Sequence, residues 1–146
     1  MKKAIYVRSA LENEISIETQ IDYCKTHLKP NDEYVIYSDN GYSAHNKKRP
    51  AFKKMMSAIE KGEIDTVIVY KFDRICRDID GFCTFVNTLY KQKATFISTL
   101  DNFDTSTDYG KTLMKFAMIF GYMEIQKEKE AKLSTKINRI FKRRCC

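Results

Sequence analysis

"DTVIVYKFDRICRD", residues 65–78, passes without a break from an apolar run to a cluster of opposite charges. Its first half, Thr66-Val67-Ile68-Val69-Tyr70, is β-branched and aromatic, which favours a pleated conformation. It also lacks the polar alternation of a strand with one wet face, so it reads as a strand buried on both sides, at the centre of a parallel sheet. The second half then delivers Asp73, Arg74 and Arg77 at the end of that strand.

Working outward, three further β-rich runs stand at about 3–9 (KAIYVRS), 33–38 (EYVIYS) and 94–100 (ATFISTL). Helical patterns separate them at about 16–28, 50–61 and 78–92. The second is well punctuated, with Pro50 in its first turn and Gly62 just past its end. Strand and helix alternate three times, which predicts an α/β fold: a mostly parallel sheet flanked by helices.

The segment from about Thr107 to Arg144 is different. As one helix at 1.5 Å per residue it would reach roughly 55 Å, more than a domain of this size can cover, so it is expected to project. Its first half, "LMKFAMIFGYM", is apolar on nearly every face, which suits burial against its own sheet, against a second subunit, or both. The second half keeps a stripe of Leu133, Ile137, Ile140 and Phe141 among lysines and arginines. No repeat or Pro/Gly/Ser linker interrupts the chain, so the expected organisation is a core over 1–106 and a long helix over 107–146.

The net charge of the 146 residues is +7, but residues 127–146 alone hold eight Lys/Arg against two Glu, leaving +1 on the rest. Such a concentrated basic end points to a polyanion, nucleic acid ahead of an anionic membrane, or in a plainer reading to a solvated helix face. Cys24, Cys76, Cys83, Cys145 and Cys146 form no CxxC pair and have no histidine at zinc spacing, so no metal or disulfide framework is expected. The single His27 and His45 read as ordinary surface residues. With no apolar run of about eighteen residues and no leader pattern, a cytoplasmic protein without a membrane partner is expected.

Ligands of parallel α/β sheets bind beyond the carboxyl ends of the strands. There the order of elements gathers Arg8 and Ser9 after the first strand, "DNGYSAHNKKRP" after the second and "KFDRICRD" after the third. Arg8, Arg49, Arg74 and Arg77, with Asp73 and the hydroxyls of Tyr6, Ser9 and Ser43, compose an anion site, because each guanidinium presents parallel donors to phosphate oxygens and stays charged. A serine in that field is a candidate nucleophile. The plainer alternative has Asp73 capping a helix and pairing with Arg77 while Arg74 faces solvent. No Gly-rich phosphate loop and no acidic Mg²⁺ cluster are present, so neither a cofactor nor a small-molecule substrate is expected.

Taken in order, Tyr6-x-Arg8, Ser16-x-Glu18-x-Gln20, Asp39-x-Gly41-Tyr42-Ser43 followed by Arg49-Pro50, Asp73-Arg74-x-x-Arg77, and Glu124-x(5)-Glu130 resemble the catalytic domain of the serine recombinases, the resolvase/invertase and large serine integrase family. The resemblance covers about 1–144. It implies DNA strand cleavage and rejoining through a 5′-phosphoserine, with neither metal nor ATP. It further implies that Arg8, Arg74 and Arg77 hold the scissile phosphate, that Asp73 orients them or assists proton transfer, and that Ser43, Arg49 and Gln20 support the site. The partners it implies are double-stranded DNA and a second copy of the chain, with a tetramer on DNA as the larger assembly. Lys136, Arg139, Lys142, Arg143 and Arg144 are the expected contacts to the DNA backbone.

Two departures qualify the resemblance. Family members usually read Tyr-x-Arg-Val-Ser, whereas this chain has Ala10 at the nucleophile's place and Ser9 one residue early. Either Ser9 takes over the role, as the intact arginine cage favours, or the chain keeps only binding and dimerisation. The family also usually continues past the long helix into a DNA-binding part; here the sequence ends in "FKRRCC", so the chain acting alone is expected to read DNA sequence poorly.

Overall fold

In the computed structural model the described residues are 1–10, 15–42 and 48–144. Five strands form one sheet: β1 (Lys2–Ser9), β2 (Tyr34–Asn40), β3 (Ile64–Val69), β4 (Thr95–Ser98) and β5 (Phe103–Asp104). Their order is β2-β1-β3-β4-β5, with β3 at the centre as its unbroken apolar run requires. The first four are parallel; β5 runs antiparallel on β4.

Four α-helices among the described residues, α1 (Ile17–Lys25), α2 (Pro50–Glu60), α3 (Ile79–Gln92) and α4 (Asp108–Arg144), accompany the sheet. The path from β1 to β2 goes one way across the sheet, and the paths to β3 and β4 go the other. Right-handed crossovers therefore put α1 on one face and α2 and α3 on the other. Burial follows that division. Ile5, Val7, Ile68 and Tyr70 pack with Cys24, Ile17 and Ile21 of α1, while Ala4, Tyr6, Val67, Val69 and Phe96 pack with Met55 and Ile59 of α2 and Phe85 and Leu89 of α3. The reversal leaves a crevice at the carboxyl ends of β1 and β3.

Four details differ from the sequence reading. β3 ends at Val69, one residue short of the apolar run that closes at Tyr70, because Phe72–Arg74 wind into a 3₁₀ turn. β4 is shorter than its apolar run, and β5, two residues long, carries no periodicity to reveal it; the chain reverses into it through Asn102 at φ 50°. The helix read over 16–28 ends at Lys25. Finally, α4 packs mainly on α3 and meets the sheet at its edge strand β5, through a stripe of Gly110, Met114, Met118, Gly121 and Ile125. From Lys127 to Ile140 every residue is exposed, so this helix does project.

Candidate functional site

Three elements bring charge to the crevice: the end of β1, the turn into α2, and the 3₁₀ turn after β3. Arg8, Arg49 and Arg74 are all buried there, at 0, 7 and 8% exposure. Burying a guanidinium is costly unless its donors are met. In this corner the donors are met largely by one another's backbone. Arg8 donates through Nε to the Arg74 carbonyl (3.3 Å), through one terminal nitrogen to the Tyr42 carbonyl (2.9 Å) and through the other to the Asp73 carbonyl (3.3 Å). Arg49 donates to the same Arg74 carbonyl (3.1 Å) and stacks 4.0 Å from the Phe52 ring centre. Arg74 in turn donates to the Arg8 carbonyl (2.9 Å).

Asp73 closes the cluster. Arg74 grips its carboxylate with two bonds, 2.9 and 3.2 Å, and the half-exposed Arg77 stands 3.8 Å away. Burial works to raise the Asp73 carboxyl, but the hydrogen bonds and charge of Arg74, helped by Lys71 and Arg77, outweigh it and hold the group below the usual carboxylate range. The plainer reading of this motif keeps its Asp73–Arg77 pair and is corrected on two points: Arg74 is buried and grips Asp73, and the cap of α3 is Asp78, whose side chain accepts from Gly81 N–H at 2.7 Å.

Gln20, fully buried on α1, spends both amide donors on the carbonyls of Arg8 and Ile15 and accepts from Arg8 N–H. It thereby pins both ends of the loop that follows β1. Tyr6 donates to Asp39 (3.0 Å), and Arg49 donates to the Tyr6 oxygen (3.4 Å). Burial pushes the Tyr6 hydroxyl well above its ordinary value; Arg49 opposes the shift and Asp39 adds to it. Ser9 is half-buried and pairs with Asn40, so β1 continues through it. Strand alternation then groups Ser9 with Ile5 and Val7 on the α1 side, whereas Arg8 shares the side of Tyr6. Ser43 and His45 lie outside the described residues. Lys136 and Arg139 are exposed on the projecting part of α4, far along the chain from this cluster; Lys142, Arg143 and Arg144 continue its helical backbone.

The positioning roles of two residues escaped the sequence reading. Asp39 accepts from Ala51 and Phe52 N–H, both at 2.9 Å, and so caps α2 from a neighbouring strand, although Arg49 occupies the cap position itself. Asp101 accepts from Phe72 N–H (2.8 Å) and the Ser98 hydroxyl (2.6 Å), tying the 3₁₀ turn to the end of β4. Asp39 opens the Asp39-x-Gly41-Tyr42-Ser43 motif, which does not reveal its capping role, and Asp101 has no local sequence signature. Among the described residues no group of three His, Cys, Asp or Glu could hold a metal ion, and no helix is long and apolar enough to cross a membrane.

Comparison with known proteins accounts for this arrangement. Residues 3–140 match the family model described as "Resolvase, N terminal domain". The chain belongs to the resolvase family, as a serine recombinase catalytic domain. Among solved structures, the resolvase domain is similar to the N-terminal catalytic domain of TP901-1 integrase, with a TM-score of 0.77 and 30% identity over 88% of this chain and 99% of that one. Among curated proteins it is 30% identical over 76 residues to the DNA-invertase Hin of Salmonella typhimurium, which is 52% of this chain and 39% of the invertase. It is also 30% identical over 130 residues to a putative DNA recombinase of Bacillus subtilis, 86% of this chain and 25% of that protein. The resolvase domain thus spans well under half the length of these curated relatives.

Proposed function

We infer that the chain cleaves and rejoins DNA at specific sites, with Ser9 as nucleophile. The Ser9 oxygen attacks a backbone phosphorus, the P–O3′ bond breaks, the serine proton leaves and the 3′ oxygen gains one. The new 5′-phosphoserine ester conserves the energy of the broken bond, so attack by a 3′-hydroxyl reseals the strand without ATP. The observation that carries this reading is the interlocked Arg8–Arg49–Arg74 cluster, in which four guanidiniums counting Arg77 stand against the carboxylates of Asp39 and Asp73. Carbonyl dipoles satisfy buried guanidinium donors without cancelling their charge, and the surplus suits the growing charge on a phosphoryl group. Membership of the resolvase family supports it further, as do relatives named a DNA-invertase and an integrase catalytic domain.

The depressed Asp73 carboxyl favours an orienting role over proton transfer, since a general base works best with a value near the working pH. The apolar outer face of α4 supports a homodimer, and the basic residues near its end support contacts to DNA phosphates. A second reading has its own observation: β1 runs through Ser9, which alternation separates from the side of Arg8, and Ala10 follows. On that reading the chain binds DNA and dimerises without cutting, modulating an active relative.

A suicide-substrate assay separates the two. The chain, fused to the DNA-binding part of a relative, is incubated with nicked, end-labelled DNA beside its Ser9→Ala variant, and adducts are resolved on a denaturing gel. An adduct that disappears in Ser9→Ala is the expected result. DNA binding without any adduct would establish the second reading.

A further inference from the structure

Lys71 and Asp73 stand beside two cavities of different character. The larger, about 780 Å³, lies toward α3 and α4 and is walled chiefly by Phe72, Ile79, Phe82, Phe103 and Met114. The smaller, about 290 Å³, is lined by Gln20, Tyr70, Lys71, Asp73, Arg74 and Leu100, together with Ile15. Its volume equals that of about ten waters, room for a phosphate-sized anion with its immediate substituents.

Two cations and one carboxylate face the smaller cavity, and the carboxylate is already gripped twice by Arg74. Lys71 borders both cavities, is exposed, and makes no ion pair among the described residues. Its backbone is nevertheless fixed. It is extended at φ −146° and ψ 150°, its carbonyl accepts from Arg74 N–H at 3.0 Å, and the next amide is held by Asp101 at 2.8 Å. A compact ammonium on a four-carbon stem is thereby anchored at the mouth of the crevice, next to a guanidinium whose orientation is set by Asp73 and the Arg8 carbonyl. Tyr70, part of the cavity wall, belongs to the buried cluster of Ile5 and Val7, so the cavity lies on the sheet face to which alternation assigns Ser9.

We propose that the smaller cavity is a subsite for a DNA backbone phosphate, with the Lys71 ammonium as its adjustable ligand beside the fixed Arg74. This rests on the DNA-cleaving reading and adds to it a residue and a side of approach: the phosphate enters from the α1 side, where Ser9 stands. Neutralising one phosphate contributes about 0.9 to the slope of log K against log salt.

The test is a salt series of duplex DNA binding, followed by fluorescence anisotropy, for the whole chain and for Lys71→Gln, Lys71→Arg and Lys91→Gln. Lys91, exposed in the last turn of α3 at its end away from the crevice, serves as the reference. Lys71→Gln is expected to lose about 0.9 of slope, Lys71→Arg to retain it, and Lys91→Gln to match the parent. An unchanged slope in Lys71→Gln, or an equal fall in Lys91→Gln, overturns the subsite while leaving DNA binding intact. A parent chain that shows no salt-dependent binding overturns the DNA reading itself, and the subsite with it.

Discussion

Asp39 lies on β2 and is 1% exposed, with its two oxygens divided among the first amides of α2 and the Tyr6 hydroxyl. Hydrogen bonds to a charged group contribute about 1.5–3 kcal/mol, and a buried donor left unmet costs a further share. Asp39→Ala should therefore destabilise the fold by about 3 kcal/mol, measured by urea unfolding, with Asp39→Asn less costly because one acceptor survives. Asp73 behaves differently, because its effect depends on pH. Its carboxyl sits below the ordinary range in the folded state, so its pairing with Arg74 stabilises the fold at and above that range and is lost as the pH falls through the depressed value. Unfolding free energies measured from neutral to acid pH should fall less steeply in Asp73→Asn than in the parent. Equal acid limbs would mean that Asp73 is not the group responsible.

At the scale of the elements, the placement of α4 depends on the absence of a side chain. A Cβ at Gly110 would lie 1.9 Å from the Asp104 carbonyl oxygen and 2.5 Å from its carbon, both backbone atoms that move only with β5. At Gly121 the nearest atom is the Cys83 sulfur at 3.0 Å, a side chain free to turn. Gly110→Ala should thus cost about 2 kcal/mol or more, lowering the thermal midpoint by about 5 °C. Gly121→Ala should be nearly neutral, since about 1 kcal/mol of helix propensity offsets the tight contact. Calorimetry on the two variants distinguishes them, and equal midpoints would contradict this account of how α4 is seated.

Across the whole molecule, the side of α4 turned away from α3 presents Phe116, Ile119, Phe120 and Met123, spaced as one stripe and 48 to 64% exposed. Monomeric proteins rarely leave so continuous an apolar surface in water. Sedimentation velocity should show the chain self-associating. Phe120→Glu should weaken that association at least tenfold, because an aromatic anchor is replaced by a charge that must be desolvated. A parent chain that stays monomeric at high concentration would count against the dimer. The charge is divided unevenly along the sequence, since residues 127–146 carry +6 of the net +7.

The sequence by itself determined the order of elements, the central place of "TVIVY", the projection of the last helix and the gathering of Arg8, Arg49, Asp73, Arg74 and Arg77 at one sheet edge. These follow from periodicity, punctuation and crossover handedness, which act over one element or between neighbours. Tertiary structure alone decided what those residues do there. Arg8 is held by carbonyls 65 and 66 residues away, Asp39 caps a helix on another segment, and Asp101 anchors the 3₁₀ turn that carries Asp73. No local pattern encodes such pairings, because a buried donor takes whichever acceptor the packed elements bring within reach. The side on which Ser9 stands follows in the same way: β1 stays paired with β2 through Asn40, and that pairing carries the alternation of the strand as far as Ser9.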